Sequence, residues 1–231
     1  QDHLAKLWDA KNGNCLLTLK GHQGMILGAE FSPNDQYILT FSSDRTAKVW
    51  NAENGDCIFT VLDHSKTISA AKFSSKSTYI ATGSFDGSAQ IWEIGSRKCL
   101  KKLKGSANRI EDVDFSPDEN YIVTAAAYGA NPNPKIWDVK TGNCIISLEQ
   151  QPYSSSIAKF SMNGSKVLTT IRGRENTFRV WDARDGKCLV SPRGLDIYMH
   201  DAYFDKSGRL VMITSGDKTV KIWDLETGKC I

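Results

Sequence analysis

Between Met25 and Leu62 the chain passes through seven short segments of differing texture. Apolar and polar positions alternate over 25–31, the two-residue period of a strand. Ser32, Pro33, Asn34 and Asp35 form a turn cluster. Residues 37–41 are mostly apolar, as expected of a strand covered on both faces. Ser42, Ser43 and Asp44 turn the chain again, and 46–50 is a third strand. Residues 51–55 make a tight loop in which Gly55 is placed for a positive φ angle. A fourth strand covers 57–62. The pattern predicts four short antiparallel strands in one unit.

The unit recurs. Trp8, Trp50, Trp92, Trp137, Trp181 and Trp223 are spaced 42, 42, 45, 44 and 42 residues apart. Seven residues after each stands a cysteine: Cys15, Cys57, Cys99, Cys144, Cys188 and Cys230. Phe31, Phe73, Phe115, Phe160 and Phe204 keep register on the first strand. Tyr37, Tyr79 and Tyr121 open the second strand, with Lys166 and Leu210 in their place later. The loop glycine returns as Gly13, Gly55, Gly142, Gly186 and Gly228; Arg97 breaks the series, and Gly95 is expected to take over its turn. A period of ~40–45 residues filled with strands predicts an all-β chain, a β-propeller of four-stranded antiparallel blades. The register divides it into a partial blade 1–20 and blades 21–62, 63–104, 105–148, 149–191 and 192–231, about five and a half in all.

Composition narrows the function classes. Of 231 residues, 40% are hydrophobic and 24% charged, which suits a soluble folded chain. A net charge of +3 is too small to argue for nucleic acid. No apolar run approaches the ~18 residues of a membrane helix. Equivalent cysteines around a ring lie too far apart for disulfides, which need Cα atoms within ~7 Å. They are expected as small buried thiols in a reducing compartment, cytosol or nucleus. There is no Gly-rich phosphate loop, His-Glu-x-x-His or Cys-x-x-Cys, so neither enzyme activity nor a cofactor or metal is expected. One basic run, Arg97, Lys98, Lys101, Lys102 and Lys104, falls on a fourth strand. It reads as protection of an edge strand or as a patch for phosphate or an acidic partner.

Trp-Asp pairs stand at Trp8-Asp9, Trp137-Asp138, Trp181-Asp182 and Trp223-Asp224, softened to Trp50-Asn51 and Trp92-Glu93. Gly21-His22 precedes one repeat and Asp63-His64 the next. In these residues the chain resembles the WD-repeat family over nearly its whole length. The resemblance implies a buried polar network of His, Ser or Thr, Asp and Trp. An indole N–H needs an acceptor, a Ser hydroxyl supplies it, and His relays the bond to Asp. Two repeats hold all four members: His22, Ser42, Asp44, Trp50, and His64, Ser84, Asp86, Trp92. The last keeps Ser215, Asp217 and Trp223, with Leu195 in the histidine position. The middle repeats have Ser106, Ala126 and Tyr128, then Gln151, Ile171 and Gly173, and carry extra residues around 129–134 and 172–177. These longer loops read as drift or as a binding feature.

The resemblance also implies a docking face on the loops entering the first strand and leaving the second. Transferred residue by residue, it comprises Met25, Leu27 and Ser43; Thr67, Ser69 and Phe85; Arg109 and Glu111; Ser154 and Ser156; Tyr198 and His200. Ile26, Ile68 and Ile110 lie between the pairs and should point into the blades. The function so implied is a non-catalytic scaffold that binds a protein or peptide at the channel mouth within a multiprotein complex. Two alternatives stay open. One is the ligand-sensing or autoinhibitory propeller of a larger signalling ATPase. The other is a phosphate- or lipid-binding propeller acting through 97–104. Most relatives close with seven blades, so the chain is expected to be part of a longer ring.

Overall fold

The computed structural model describes residues 2–104, 109–127, 132–149, 154–172, 177–192 and 199–231, with backbone alone at Ser154 and Arg172. All its regular elements are strands. A two-stranded sheet, β1 (Ala5–Trp8) and β2 (Cys15–Leu19), comes first. The first full blade is β3 (Ile26–Phe31), β4 (Tyr37–Ser42), β5 (Ala47–Asn51) and β6 (Cys57–Val61). The second is β7 (Ile68–Phe73), β8 (Tyr79–Ser84), β9 (Ser88–Glu93) and β10 (Lys98–Lys104). The third is β11 (Arg109–Phe115), β12 (Tyr121–Ala127), β13 (Lys135–Asp138) and β14 (Cys144–Ser147). The fourth is β15 (Ser154–Phe160), β16 (Lys166–Arg172), β17 (Thr177–Asp182) and β18 (Cys188–Val190). The fifth is β19 (Met199–Phe204), β20 (Leu210–Ser215), β21 (Val220–Asp224) and β22 (Lys229–Cys230). In every sheet the strands pair antiparallel in chain order. First strands of successive blades pack on one another, which places them innermost, along the channel.

The Trp–Cys spacing has a local cause. Each tryptophan stands directly opposite its cysteine across the last hairpin of its sheet. In the first five pairs the ladder then shifts register by a β-bulge. There the thiol points to the carbonyl two residues on, at 3.5–3.7 Å. The expected burial of these thiols is corrected: all are free, five are exposed, and Cys99 is half-buried. They lie on the outermost strand, beyond which no other strand covers them.

A second correction concerns the hairpin of the second blade. Arg97 itself adopts the left-handed conformation, with φ 59°, and Gly95 does not. Its N–H bonds to Glu93 O at 2.9 Å, as Gly55 N bonds to Asn51 O. The hairpin geometry therefore overrides the cost of a Cβ at that position.

Apolar cores form between blades. Leu39, Val49 and Val61 of the first blade meet Ile68, Phe73 and Trp92 of the second. The same contact recurs between later neighbours. Equivalent positions thus differ sharply where no four-stranded neighbour is present. Phe73 is 8% exposed against 51% for Phe31, which faces only the two-stranded sheet. A groove of about 100 Å³ between Leu7, Leu19 and Phe31 remains there. At the other end Met212, Val220 and Ile222 are exposed, whereas Leu39, Ala47 and Val49 at matching positions are wholly buried.

Candidate functional site

A polar chain runs through the first blade. The Trp50 indole N–H donates to Thr40 Oγ1 at 2.8 Å. Thr40 Oγ1 lies 2.8 Å from His22 Nε2, and His22 Nδ1 lies 2.8 Å from Asp44 Oδ2. An indole can only donate, so the threonine oxygen accepts and its own proton is left for Nε2. The ring proton then sits on Nδ1 and points to Asp44. Burial pushes the His22 pKa down, which fits this neutral ring. Burial pushes the Asp44 carboxyl up, but bonds from Thr46, Gln23 and His22 outweigh it and hold the pKa at about 2.

The hydroxyl that meets the tryptophan is therefore a threonine of the second strand, which corrects the role expected of Ser42, Ser84 and Ser215. Those serines brace the following turn. Ser42 Oγ accepts from Asp44 N, Ser84 Oγ from Asp86 N, and Ser215 Oγ from Asp217 N, at 3.1, 3.1 and 3.3 Å. In the second blade His64 joins Thr82 and Asp86, while Trp92 donates elsewhere, to Gln90 Oε1 at 3.2 Å. The expected loss of the network in the middle blades is only partial. Trp137 bonds Thr124 at 3.0 Å and Trp181 bonds Thr169 at 2.8 Å, with Ala126 and Ile171 buried beside them. Ser106, Tyr128, Gln151, Gly173 and Leu195 lie outside the described residues. A threonine recurs in register at 40, 82, 124 and 169, a signal present in the sequence but hidden inside a mostly apolar strand.

The residues expected on the docking face fall in two groups. Met25 and Leu27 are 42% and 39% exposed, and Ser43 N bonds Met25 O at 2.9 Å. Phe85 N likewise bonds Thr67 O at 2.9 Å. The Arg109 guanidinium lies over the Phe85 ring at 3.4 Å and faces Glu111 at 3.5 Å. Phe85 is thus a half-buried, cation-capped ring rather than a bare apolar anchor. The Ser69 hydroxyl is committed to Gly83 O and Ile110 O, bridging two blades. Ser156 shares a hydroxyl bond with Thr170 at 2.9 Å, and His200 is exposed. Tyr198 and the Ser154 side chain lie outside the described residues. Ile68 and Ile110 point inward and are buried, and Ile26 is half-buried.

Along the innermost strands the sequence reading missed a run of charges. Glu30 pairs with Lys72 at 2.5 Å and accepts from Phe73 N at 2.7 Å. Asp112 accepts from Ala158 N at 3.2 Å and Asp114 from Phe160 N at 2.8 Å, each tying the third blade to the fourth. Lys159 pairs with Asp201 at 3.1 Å and lies 4.0 Å from the Tyr203 ring. The Tyr203 hydroxyl donates to Asp201, which with burial pushes its pKa up to about 12. Burial on the crowded inner wall raises Asp112 to about 6 and Asp114 to about 7, although both keep some accessible surface. The available signal was the charged residue before four of the five first-strand phenylalanines: Glu30, Lys72, Asp114 and Lys159.

Radially repeated four-stranded sheets, with buried tryptophans tied to hydroxyls, define a β-propeller. The chain belongs to the WD40 family, the WD domain, G-beta repeat, whose model matches residues 13–51, 55–93, 97–138 and 193–224, more than half of its length. A 46-residue stretch is 44% identical to nuclear distribution protein nudF 2 of Aspergillus clavatus, covering 20% of this chain and 10% of that protein. Nuclear distribution protein PAC1 of Arthroderma otae is 46% identical over 46 residues, again 20% of this chain and 10% of the relative. WD repeat-containing protein 37 of Homo sapiens is 42% identical over 45 residues, 20% of this chain and 9% of the relative. The matches thus span about a tenth of these relatives. Among the described residues no helix is long and apolar enough to cross a membrane.

Proposed function

We propose that this protein is a non-catalytic scaffold that docks a protein or peptide at the channel mouth and helps assemble a multiprotein complex. WD repeats serve in general as protein-interaction platforms, and that coarser statement holds for this chain. The observation that carries the finer reading is the exposure of Met25 and Leu27 at the entry to the first inner strand. Large apolar side chains gain nothing from water there, and an adaptable thioether suits an interface. Arg109, Glu111 and His200 add polar discrimination on the same set of inner strands. Cytosol or nucleus fits the free thiols.

The test is quantitative affinity capture with the protein and its Met25→Asp, Leu27→Asp variant. Ile145→Asp, an exposed apolar position on an outer strand, is the control. A partner lost only in the inner-strand variant supports the site. A partner set unchanged by that variant rejects it.

The same reading places the chain in a seven-bladed ring. Phe31 at one end, and Met212, Val220 and Ile222 at the other, are the positions a further sheet would bury. In a longer chain that completes the ring, Phe31→Ala is expected to cost as much as Phe73→Ala in urea unfolding, and a loss below about 1 kcal/mol there would reject the further sheet.

A further inference from the structure

The residue two places before each tryptophan is basic in every sheet but one: Lys6, Lys48, Lys135, Arg179 and Lys221, against Gln90. Its neighbour across the outer hairpin is small and hydroxylic. Lys6 faces Thr18, Lys48 faces Thr60 and Lys135 faces Ser147, while Arg179 reaches Ser191. Lys6, Lys135 and Arg179 lie 5.7–5.9 Å from the neighbouring indole ring. Lys48 bonds Thr60 at 3.0 Å and lies against Gly21. In these sheets the long cation lies along the outer hairpin of its own blade, beside the tryptophan or the hydroxyl.

The second blade reverses the pair. Gln90 stands on β9 and Lys102 opposite it on β10. Gln90 is buried and turned inward, accepting from Trp92 and donating to Asp63 O at 3.4 Å. With the lysine moved outward by one strand, a cleft of about 430 Å³ opens along the outer side of the second blade, where the segment entering β7 meets β9 and β10. Asp63, Ser65, Asp86, Ser88, Lys102 and Lys104 line it.

The charges in the cleft are not equivalent. Asp86 is already engaged by His64, by the N–H groups of Ser65 and Ser88, and by the Ser88 hydroxyl. Among the described residues Lys102 is held only by Asp63, at 2.5 Å, and both side chains are nearly half exposed, so the pair is weak and exchangeable. Lys104 is exposed at the end of β10, and Arg97, Lys98 and Lys101 extend the positive field along that edge. A single carboxylate can replace Asp63 on Lys102 and reach Lys104. A phosphoryl dianion would meet two fixed aspartates.

We propose that this cleft is a second docking site, for an acidic peptide segment of a partner protein, with one Asp or Glu carboxylate of the partner seated between Lys102 and Lys104. It stands apart from the channel mouth and does not depend on it.

The probe is a fluorescent hexaglutamate peptide, read by anisotropy against the intact protein at low salt. Gln90→Lys with Lys102→Thr restores the arrangement of the first blade and leaves the net charge unchanged. It is expected to weaken binding by about tenfold or more. Gln90→Lys alone adds a cation, yet it should also weaken binding because the lysine fills the cleft. Lys104→Thr, a change at an exposed position, should weaken it too, while Lys98→Thr should change affinity less than about twofold. Undiminished binding in the charge-neutral swap, or stronger binding with Gln90→Lys, would show diffuse attraction to the basic edge and overturn the site. So would no binding to the wild type, or tighter binding of a phosphoserine peptide of equal length. Unchanged thermal melting of each variant keeps misfolding out of the comparison.

Discussion

Ile213 stands opposite Lys221 in the ladder position held by Thr40, Thr124 and Thr169 in other blades, and the buried indole N–H of Trp223 has no hydrogen-bond partner among the described residues. An orphaned buried donor costs about 1–3 kcal/mol, and replacing the buried ethyl group of Ile213 by a hydroxyl costs about 2 kcal/mol of apolar burial. Ile213→Thr is therefore expected to leave stability within about 1 kcal/mol of wild type. Urea unfolding checks it; a loss of the full apolar cost, about 2 kcal/mol or more, would mean that the hydroxyl fails to reach the indole.

Thr40 serves two partners, Trp50 and His22, whereas Thr169 serves Trp181. Replacement by valine keeps the shape and removes the hydroxyl. Thr40→Val should cost about 3 kcal/mol and Thr169→Val about 1–2 kcal/mol. Equal losses in equilibrium unfolding would deny the histidine a share in the network.

The blades respond to pH in opposite directions. His22 and His64 have pKa values lowered by burial, so the unfolded chain binds more protons and stability falls as pH drops through about 6.5. Asp112 and Asp114, raised by burial to about 6 and about 7, bind more protons when folded, so their contribution falls as pH rises through that range. Lys72 and Lys159 favour the charged carboxylates and moderate the effect. Asp114→Asn should therefore gain thermal stability relative to wild type from pH 5 to pH 8 (about one unit either side of the Asp112 and Asp114 values). A melting-temperature difference that stays flat over this range would place the carboxylate in ordinary solvent.

Arg97 occupies a left-handed turn position that glycine fills in the other hairpins, including Gly55, Gly142 and Gly186. Arg97→Gly is expected to raise stability by about 1 kcal/mol, the cost of a Cβ in that conformation. A destabilised variant in thermal melts would reveal a compensating contact of the arginine side chain.

Phe31 and Phe73 hold the same register but not the same surroundings. Phe73→Ala should cost about 3–5 kcal/mol, as buried aromatics do. Phe31→Ala should cost less than about 1 kcal/mol, because half its surface already meets water. A comparable loss at both positions would show another sheet packed on Phe31 in solution.

The repeat could be read without coordinates because its markers are local. Trp50 and Cys57 are paired by one short hairpin, and Gly55 closes it, so sequence spacing maps directly onto the ladder. The second-strand threonines were harder to see. Thr40 is one hydroxyl among apolar neighbours, and its value arises only when His22 and Trp50, 18 and 10 residues away, arrive beside it. The basic run could be read as edge protection, but the cleft could not, since it depends on Gln90 turning inward across from Lys102.

By itself, then, the amino-acid order determined the blade, its hairpins and its family, because short-range periodicity and turn chemistry act within about forty residues. Tertiary structure alone decided which equivalent side chains are buried. Phe31 and Phe73 carry the same local signal, and only the presence or absence of a neighbouring sheet makes one solvent-facing and the other core. It also decided that Asp112 and Asp114 hold the third blade to the fourth, because the N–H groups they accept from lie 46 residues away and are brought near by stacking of the inner strands.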